Sequence, residues 1–294
     1  MEPAPRLRIG IIGAGRVGAV LGAALARAGH QVTGVTAVSD LSRLRAEALL
    51  PGVPIVDVPT AVRSVDLVLV AVPDDALGPL IASLAANGHV TPGQFWAHPS
   101  GRHGIDVLQP VVGAGAGAVA IHPVMTFTGT SVDLARLADC PFGVTASPGL
   151  RPVAEALVVE MGGDPVWVPD EHRATYHAAL SYGANYLITL VAQSLELLRE
   201  AGIESPQRLI APLLSASLDN ALRMGDQALT GPVMRGDADS VAAHLRAIEI
   251  VSAEAALGYR ALARLTADRA VEAGLLSSRD AESLLGVLSD GGGR

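Results

Sequence analysis

Residues 8–18 read RIGIIGAGRVG, in which an apolar run leads directly into glycines spaced as G-x-G-x-x-G. An apolar run of this length predicts a buried strand, and the alanine-rich stretch after it predicts a helix. At such a junction Gly13 permits the tight turn, Gly15 lets the backbone approach a pyrophosphate, and Gly18 lets the helix pack on the strand. Amide groups at the start of the helix can then bind phosphates.

Short apolar runs alternate with helical stretches through the first half of the chain. The predicted strands are 7–12, 31–37, 66–73, 94–98 and 116–121, with 141–146 and 165–168 extending the same sheet. The predicted helices between them include 16–28, 74–87 and 153–161. The strands are apolar throughout instead of alternating, as expected when helices cover both faces of a sheet. The fold class is therefore α/β, with a doubly wound parallel Rossmann sheet in this half.

The second half shows no convincing strand. Long helices are predicted at 171–201 and 239–273. We therefore predict two domains: a cofactor-binding domain at 1–168, and an all-α domain for substrate binding and dimerisation at 169–294. Helices of about 30 residues that are apolar all round are commonly sandwiched in an intertwined dimer, so a homodimer is expected.

Composition excludes several classes of protein. The 21 basic residues, all of them arginine, against 29 acidic ones give a formal charge of −8, which opposes binding to a nucleic-acid backbone. Aromatic residues make up 3% of the chain, too few for base stacking. The one cysteine, Cys140, can form no internal disulfide, which fits a reducing cytoplasm. Residues 1–5 carry no signal pattern and no apolar run reaches the ~18 residues of a membrane span, so we expect a cytoplasmic protein without membrane partners.

The glycine-rich turn is interpreted as a dinucleotide site, the alternative being a turn without a ligand. Thr36 and Ala37 stand at the end of the second strand, where proteins that select NAD carry an acid. Ser39, Arg43 and Arg45 follow, and an arginine there can bind a 2′-phosphate. NADP is therefore expected over NAD, unless both arginines are merely solvated helix charges. The cofactor-binding residues assigned up to this point are Gly13, Ala14, Gly15, Arg16, Val17, Gly18, Ser39 and Arg43.

Two more strand ends should border the cofactor, because ligands of open parallel sheets lie beyond the carboxyl ends of the strands. Val72 and Pro73 end the third predicted strand, and Ser100 follows the next one. These three residues complete the cofactor-binding set. Asp74 and Asp75 come directly after Pro73 and are interpreted as caps of the following helix.

Several further motifs resemble those of a bacterial two-domain family. They are Val-Ala-Val-Pro at 70–73, His-Pro-Ser-Gly at 98–101, His-Pro-Val-Met-Thr-Phe at 122–127, Tyr-His-Ala-Ala at 176–179 with Asn185, and Thr-Gly-Pro-Val-Met-Arg-Gly-Asp at 230–237. The family pairs a Rossmann-like N-terminal domain with a helical C-terminal domain of unassigned function. It resembles a branch of the 6-phosphogluconate-dehydrogenase-like superfamily, near pyrroline-5-carboxylate reductase and ketopantoate reductase. The resemblance implies an NAD(P)-binding oxidoreductase and a dimer, but no particular substrate.

Hydride transfer to a carbonyl or imine needs a proton donor beside the nascent oxygen or nitrogen. On the predicted helix 171–201, His177, Ser181 and Asn185 are spaced by four residues and share one face. The resemblance implies a Lys-x-x-x-Asn pair here; Asn185 matches its asparagine, whereas Ser181 replaces its lysine. His177 is therefore the candidate donor, because histidine titrates near neutral pH. The alternative is that His177 and Asn185 only bond neighbouring helices.

Two residues that follow predicted strands should meet this helix face. We assign Gly101 to substrate binding and His122 to catalysis, beside His177, Ser181 and Asn185. The alternative for His122 is a simple bond to the backbone. The histidines of this region lack the spacing of metal ligands, so no metal is expected.

The turn at 230–237 is too polar and too constrained to be a simple spacer. Arg235 can hold a substrate carboxylate through two nitrogens. Asp237 can orient Arg235, or it can cap the next helix in competition with Ser240. Arg235 and Asp237 are assigned to substrate binding, the alternative being an interhelical Arg–Asp pair at a dimer interface.

Taken together, these residues predict an NADP-preferring oxidoreductase that transfers a hydride to or from a small carboxylate-bearing carbonyl or imine compound. The serine that replaces lysine at Ser181 motivates an alternative function from another class. In that alternative the protein binds NADP(H) as a regulator or scaffold and performs no chemistry.

Overall fold

The computed structural model describes residues 6–289 and divides the chain into two compact units, Met1–Tyr182 and Gly183–Arg294, here called the N-terminal and C-terminal units. Residues 1–5, whose sequence lacks a signal pattern, lie outside the described part. The predicted domain boundary after residue 168 remains a prediction.

The N-terminal unit is built on a seven-stranded sheet with the order β2-β1-β3-β4-β5-β6-β7. Its strands are Arg8–Ile12 (β1), Gln31–Val35 (β2), Leu67–Val70 (β3), Phe95–His98 (β4), Gly117–Pro123 (β5), Pro141–Ala146 (β6) and Asp164–Trp167 (β7). The strand order reverses at β1, which has β2 on one side and β3 on the other. Such a reversal opens a crevice for ligands beyond the carboxyl ends of the strands. The predicted α/β sheet is confirmed.

One strand departs from the predicted parallel arrangement. β6 runs antiparallel to β5, with His122 opposite Gly143, whereas the other neighbouring strands are parallel. The physical reason lies in the connection, because a parallel crossover is usually made by a packed helix. Between β5 and β6 the chain forms only the five-residue helix Val132–Arg136. The sheet is therefore mixed at this edge.

Helices cover both faces of the sheet. They are Arg16–Arg27 (α1), Asp40–Leu49 (α2), Val58–Ala61 (α3), Asp74–Ala86 (α4), Gln109–Gly113 (α5), Val132–Arg136 (α6) and Arg151–Glu160 (α7). Successive residues of β3 join different cores: Leu67 and Leu69 pack with α1 and α7, whereas Val68 and Val70 pack with α4. Side chains alternate between the two faces of a strand, so both faces of the sheet are buried, as the continuous apolar runs predicted.

The remaining structure, from Arg173 to Ser289, is helical. Its helices are Arg173–Glu200 (α8), Pro206–Met224 (α9), Gly231–Met234 (α10), Ala238–Val251 (α11), Ala253–Glu272 (α12) and Ser278–Ser289 (α13). The prediction of one helix over 239–273 is wrong. Ser252 adopts an extended conformation (φ −155°, ψ 117°) that ends α11, and its hydroxyl accepts the Ala255 N–H at 3.1 Å to cap α12.

The C-terminal unit leaves much apolar surface uncovered. Within the 19-residue helix α9, Pro206 is the one residue that is buried, and Leu222 is 80% exposed. In α11, Ile250 is 86% exposed. Within residues 6–289, no helix is both long and apolar enough to cross a membrane.

Candidate functional site

The glycine-rich turn connects β1 to α1, and its glycines have different structural roles. Gly13 has φ +102°, and a Cβ there would collide with the Ala71 carbonyl oxygen. A Cβ on Gly18 would collide with the Gly13 carbonyl oxygen. Gly15 differs: it has an ordinary extended conformation, and no atom of the described chain lies within 4 Å of its Cβ position. Packing therefore explains Gly13 and Gly18, and it leaves the open side of Gly15 accessible to a ligand.

Thr36, at the end of β2, holds this turn in place. Its hydroxyl accepts the Gly13 N–H at 2.9 Å, and its carbonyl accepts the Ala14 N–H at 2.8 Å. Thr36 is 6% exposed, and the following Ala37 is also buried. An acid that could hold ribose hydroxyls is therefore replaced here by a side chain that stabilises the turn.

A cavity of about 370 Å³ lies beyond the carboxyl ends of β1, β3 and β4. It has the position expected for a ligand at the reversal of strand order. The backbone amides of the first turn of α1, which have no partner within an α-helix, belong to this region. The cavity is lined by Gly15, Arg16, Val17, Ala71, Val72, Pro73, Asp74, Pro99 and Ser100. Six of these, Gly15, Arg16, Val17, Val72, Pro73 and Ser100, were assigned to the cofactor from the sequence.

The residues predicted to select NADP are placed on and before α2. Ser39 caps this helix, because its hydroxyl accepts the Ser42 N–H at 3.2 Å. Arg43 is exposed, whereas Arg45 is half-buried. A Cβ on Gly129 would come within 2.8 Å of Arg45 Nε and 2.9 Å of Arg16 Cγ. The side chains of Arg45 and of Arg16, at the start of α1, therefore both lie against the backbone of Gly129.

The loop that carries Gly129 is fixed by one buried acid. Asp133 is fully buried, and its carboxylate accepts the N–H groups of Thr128 at 2.8 Å and of Gly129 at 2.7 Å. The Thr128 hydroxyl also donates to it at 3.0 Å. This loop is therefore held beside the arginines by hydrogen bonds within the chain.

Three predicted site residues come together at the ends of β4, β5 and the start of α8. A Cβ on Gly101 would lie 2.6 Å from the His177 ring and 2.9 Å from His122 Nε2. The two imidazoles meet edge to face, with centroids 6.0 Å apart. Since Ser100 lines the cavity and Gly101 follows it, this histidine cluster adjoins the cavity. Tyr176, which was not assigned from the sequence, donates to or accepts from His122 Nδ1 at 2.9 Å.

Arg173 is a second residue that sequence reasoning missed. It is 1% exposed, and its Nη2 donates to the carbonyls of Ala120 at 3.1 Å and Gly143 at 3.0 Å. Its Nε donates to the Thr145 hydroxyl at 2.8 Å. Nη1 is buried and has no hydrogen-bond partner among the described residues. Burial lowers the pKa of Arg173 to about 10, so the guanidinium remains charged at neutral pH.

The protonation of His122 follows from this environment. Burial is the main cause that lowers its pKa from 6.5 to about 4, and the neighbouring His177 and Arg173 lower it further. His122 is therefore neutral at pH 7, so one of its two ring nitrogens carries a proton and the other carries none. Burial also raises the pKa of Tyr176, so its phenol is protonated.

His98, the first residue of the His-Pro-Ser-Gly motif, has a structural role. Its Nδ1 accepts the Ser100 N–H at 3.2 Å, which leaves Nε2 to donate to the Gly104 carbonyl at 2.9 Å. Burial lowers the pKa of His98 to about 4. This neutral, fully bonded ring fixes the loop that carries Ser100 and Gly101.

The other assigned residues are more dispersed along the chain. Ser181 is half-buried in the N-terminal unit, whereas Asn185, on the same helix α8, is exposed in the C-terminal unit. Arg235 is exposed after α10. Asp237 caps α11, accepting the Ser240 N–H at 3.0 Å and its hydroxyl at 2.6 Å. Their assignments to catalysis and substrate binding remain predictions. Within residues 6–289, no group of three or more His, Cys, Asp or Glu is placed to hold a metal.

The C-terminal unit holds its own cavity, of about 550 Å³, lined by residues of α8, α10, α11 and α12. It contains a second tyrosine–histidine pair, in which His244 Nδ1 lies 2.9 Å from the Tyr259 hydroxyl. Most of the other lining side chains are apolar, such as Leu190 and Ile248.

Comparison with known protein families gives two matches, the second of which begins directly before β6. Residues 2–123 match the Rossmann-like domain family, and residues 140–266 match a domain of unknown function, DUF2520. The chain pairs a Rossmann-like domain with a DUF2520 domain. The resemblance inferred from its motifs is thereby confirmed. No curated protein matches the chain in sequence.

Solved structures share this fold along most of their length. The candidate NADP oxidoreductase BF3122 of Bacteroides fragilis is 21% identical, with a TM-score of 0.72 over 90% of this chain and 98% of its own. An imine reductase of Streptomyces aurantiacus is 16% identical, with a TM-score of 0.67 over 95% and 99%. A reductive aminase of Aspergillus terreus, in complex with NADPH and ethyl-5-oxohexanoate, is 16% identical, with a TM-score of 0.66 over 92% and 95%. At these identities the likeness establishes the fold.

Proposed function

We propose that this protein is an NADPH-dependent oxidoreductase that reduces a small carbonyl or imine compound carrying a carboxylate. The observation that carries the proposal is the cavity at the strand ends, with the open side of Gly15 at one edge and the histidine cluster beyond Ser100. The names of the similar structures, which include an imine reductase and a reductive aminase in complex with NADPH, support the same chemistry.

Residues 13–18 would hold the pyrophosphate, because free amides at a helix start favour phosphate. When bound, a reduced nicotinamide supplies the hydride. His122 and His177 are the proposed proton donors, and Gly101 brings the backbone close to both rings. In the proposal Ser181 and Asn185 complete the catalytic set.

The preference for NADPH over NADH rests on the end of β2. Thr36 replaces the acid that would bind ribose hydroxyls, and Arg45 meets Arg16 nearby. Arg45 is therefore proposed, beside Arg43, as a ligand of the 2′-phosphate. Arg45→Ala should weaken NADPH binding about 10- to 30-fold and leave NADH binding within about twofold, since a charge-assisted hydrogen bond contributes about 2 kcal/mol. Equal losses for both cofactors would contradict this assignment.

The decisive experiment uses Gly15→Val and isothermal titration calorimetry with NADPH. Because Gly15 has an extended conformation and open space, the variant should fold normally yet lose at least about 30-fold in NADPH affinity, the added side chain blocking the phosphates. Gly286→Ala, on the exposed side of α13, is the matched control and should bind as wild type does. Unchanged NADPH affinity in Gly15→Val, or no binding by the wild type, would overturn the proposal. Calorimetry is preferred because neither Trp96 nor Trp167 lines the cavity.

Catalysis is tested separately, by NADPH oxidation with a panel of small keto acids, aldehydes and cyclic imines. Saturable turnover that is lost when His122 and His177 are both replaced by glutamine supports an enzyme. Replacement of the Arg235 guanidinium should raise the KM of carboxylate substrates in the panel. Tight NADPH binding without turnover of any compound favours the alternative, a regulator or scaffold that binds NADP(H), which Ser181 in place of lysine motivates.

We also propose that a second copy of this chain covers the C-terminal unit. A helix that buries one residue of nineteen, as α9 does, has little packing to stabilise it, and exposed patches of this kind mark interfaces. The double variant Leu213→Asp, Leu222→Asp should shift the protein from dimer to monomer in sedimentation analysis. Val159→Asp replaces an exposed apolar residue of α7 and should leave the dimer intact. A monomeric wild type would overturn this proposal.

A further inference from the structure

The His122 ring has two ends that face different surroundings. Nδ1 lies 2.9 Å from the Tyr176 hydroxyl. Nε2 lies on the side of Gly101, where it would be 2.9 Å from a Cβ on that residue. Gly101 follows Ser100, which lines the cavity, and Nε2 is the ring nitrogen that is not bonded to Tyr176, so the proposal assigns Nε2 to the substrate.

On its other side the Tyr176 hydroxyl lies against β6. A Cβ on Gly143 would collide with this hydroxyl, so the backbone of Gly143 lies close to the phenol oxygen. Because the phenol is protonated, it can donate its proton to His122 Nδ1 when that nitrogen carries none. The antiparallel pairing of His122 with Gly143 brings both partners to one phenol.

A buried positive charge lies beside the same phenol. The Arg173 guanidinium is 5.7 Å from the centroid of the Tyr176 ring. Its Nη1 is buried without a partner among the described residues, although unpaired polar groups are costly inside proteins. An anion that forms on the Tyr176 oxygen would be stabilised electrostatically by this charge. The titratable groups around the pair are His177 and Arg173 on α8, Asp74 at the start of α4, Asp170 before α8, and Cys140.

We propose that Tyr176 is a positioning residue and proton relay, which donates its phenolic proton to His122 Nδ1 and thereby keeps the His122 proton on Nε2, ready for the substrate. The inference rests on the proposed function. As the substrate carbon accepts hydride, its oxygen or neutral imine nitrogen takes the Nε2 proton. The Nε2–H bond breaks, the Nδ1–H bond forms, and the Tyr176 O–H bond breaks. The resulting phenolate lies beside Arg173. After product release a solvent proton binds Nε2 and the Nδ1 proton returns to the Tyr176 oxygen, which restores both groups.

The chain supplies a matched control for this relay. The His244–Tyr259 pair has the same 2.9 Å bond, with ring centroids 5.9 Å apart, compared with 5.7 Å for His122–Tyr176. Burial is the one cause that raises the pKa of Tyr259, whereas the charge of Arg173 also acts on the pKa of Tyr176. Removing either hydroxyl therefore removes the same bond, but only Tyr176 has the charge that a relay needs.

The first arm of the test reads the tautomer directly, by long-range proton–nitrogen NMR on the full chain, with His122 assigned through His122→Gln. The wild type should carry the proton on Nε2 at neutral pH, and Tyr176→Phe should give a mixture of the two tautomers. Tyr259→Phe should leave the His122 signals unchanged. A wild-type proton on Nδ1 would overturn the inference, whether or not the protein oxidises NADPH.

The second arm measures NADPH oxidation with a substrate from the panel. Tyr176→Phe should lower kcat about 10- to 100-fold with the KM for NADPH unchanged, and it should alter the pH profile of kcat. Tyr259→Phe should stay within about twofold of the wild type. A wild-type kcat and pH profile in Tyr176→Phe would overturn the relay. Absence of turnover in the wild type would instead refute the proposed enzyme, while the tautomer still decides the hydrogen-bond arrangement.

Discussion

The two tyrosine–histidine pairs have nearly the same geometry in different surroundings. Each joins a histidine Nδ1 to a phenol at 2.9 Å, with rings close to perpendicular, at 89° for His122–Tyr176 and 83° for His244–Tyr259. The first adjoins a cavity at the strand ends and a buried arginine, whereas the second lies in a mainly apolar cavity of the C-terminal unit. The length of the hydrogen bond alone therefore does not show whether a tyrosine–histidine pair has a role in catalysis. The charge buried beside the first pair is what distinguishes them.

The largest effect on stability is expected from Arg173→Met. The change removes the side-chain donor from the carbonyls of Ala120 and Gly143 and from the Thr145 hydroxyl, so the N-terminal unit should lose about 3 kcal/mol of unfolding free energy. Arg260→Met, in the C-terminal unit, removes one bond to the Val287 carbonyl and should cost less than about 1 kcal/mol. Urea unfolding followed by tryptophan fluorescence measures the first effect, because Trp96 and Trp167 both lie in the N-terminal unit.

For Arg260→Met the readout is helical circular dichroism. If Arg173→Met and Arg260→Met lost equal unfolding free energy, Arg173 would contribute no more than an arginine that makes one hydrogen bond. The buried charge would then no longer distinguish the two tyrosine–histidine pairs.

Acid should weaken the N-terminal unit through His98, which is buried, and His122, which is half-buried. The pKa values of His98 and His122 are lowered from 6.5 to about 4, so the unfolded chain binds more protons between these values. The free energy of unfolding is highest above about pH 6.5 and falls as the pH falls towards 4. At about pH 5, each histidine should have lowered it by about 2 kcal/mol. Urea unfolding at about pH 7.5 and pH 5 measures the difference.

His98→Gln should remove about half of this pH dependence, and the exposed His172→Gln should preserve it. Stability that does not change between these pH values would contradict the burial of both rings.

A smaller effect is expected at the start of α11. Asp237→Ala removes the carboxylate that accepts the Ser240 N–H and caps α11, so the free energy of unfolding should fall by about 1 kcal/mol. Asp237→Asn keeps a capping oxygen and should cost little. Thermal unfolding by circular dichroism distinguishes them. If the asparagine variant is stable but turns over carboxylate substrates poorly, the negative charge serves the site as well as the helix.

The smallest effect is expected from Tyr259→Phe. Losing one partly exposed hydrogen bond to His244 should cost about 0.5 kcal/mol and should leave NADPH affinity unchanged. Thermal unfolding and calorimetry test both expectations. A large drop in NADPH affinity would make the second pair part of the cofactor site and would end its use as a control.

Local sequence was sufficient to predict most of the fold. The seven strands follow from continuous apolar runs, and the glycine spacing at 13–18 identified the turn between β1 and α1. Strand direction could not be predicted, because the residues of β6 read the same in a parallel or an antiparallel pair. The break at Ser252 left a weak signal, a serine followed by an acid, within a stretch whose alanines favour one continuous helix.

The candidate site was predictable where motifs carry it. Gly101, His122 and His177 come together, although their roles stay predictions. Arg173 was not recognised because its burial depends on carbonyls of β5 and β6, which are distant in the sequence and become neighbours in the folded sheet. Tyr176 was quoted within a motif but given no role, since nothing in the sequence shows that its hydroxyl reaches His122.

The loop fixed by Asp133 has a kinetic consequence. Its carboxylate orders Thr128 and Gly129 from within the chain, beside Arg16 and Arg45. A loop already immobile before association loses little conformational entropy when a dinucleotide arrives. Encounter at this edge should then be governed by diffusion and by the attraction of two guanidinium groups, and should become slower as ionic strength rises.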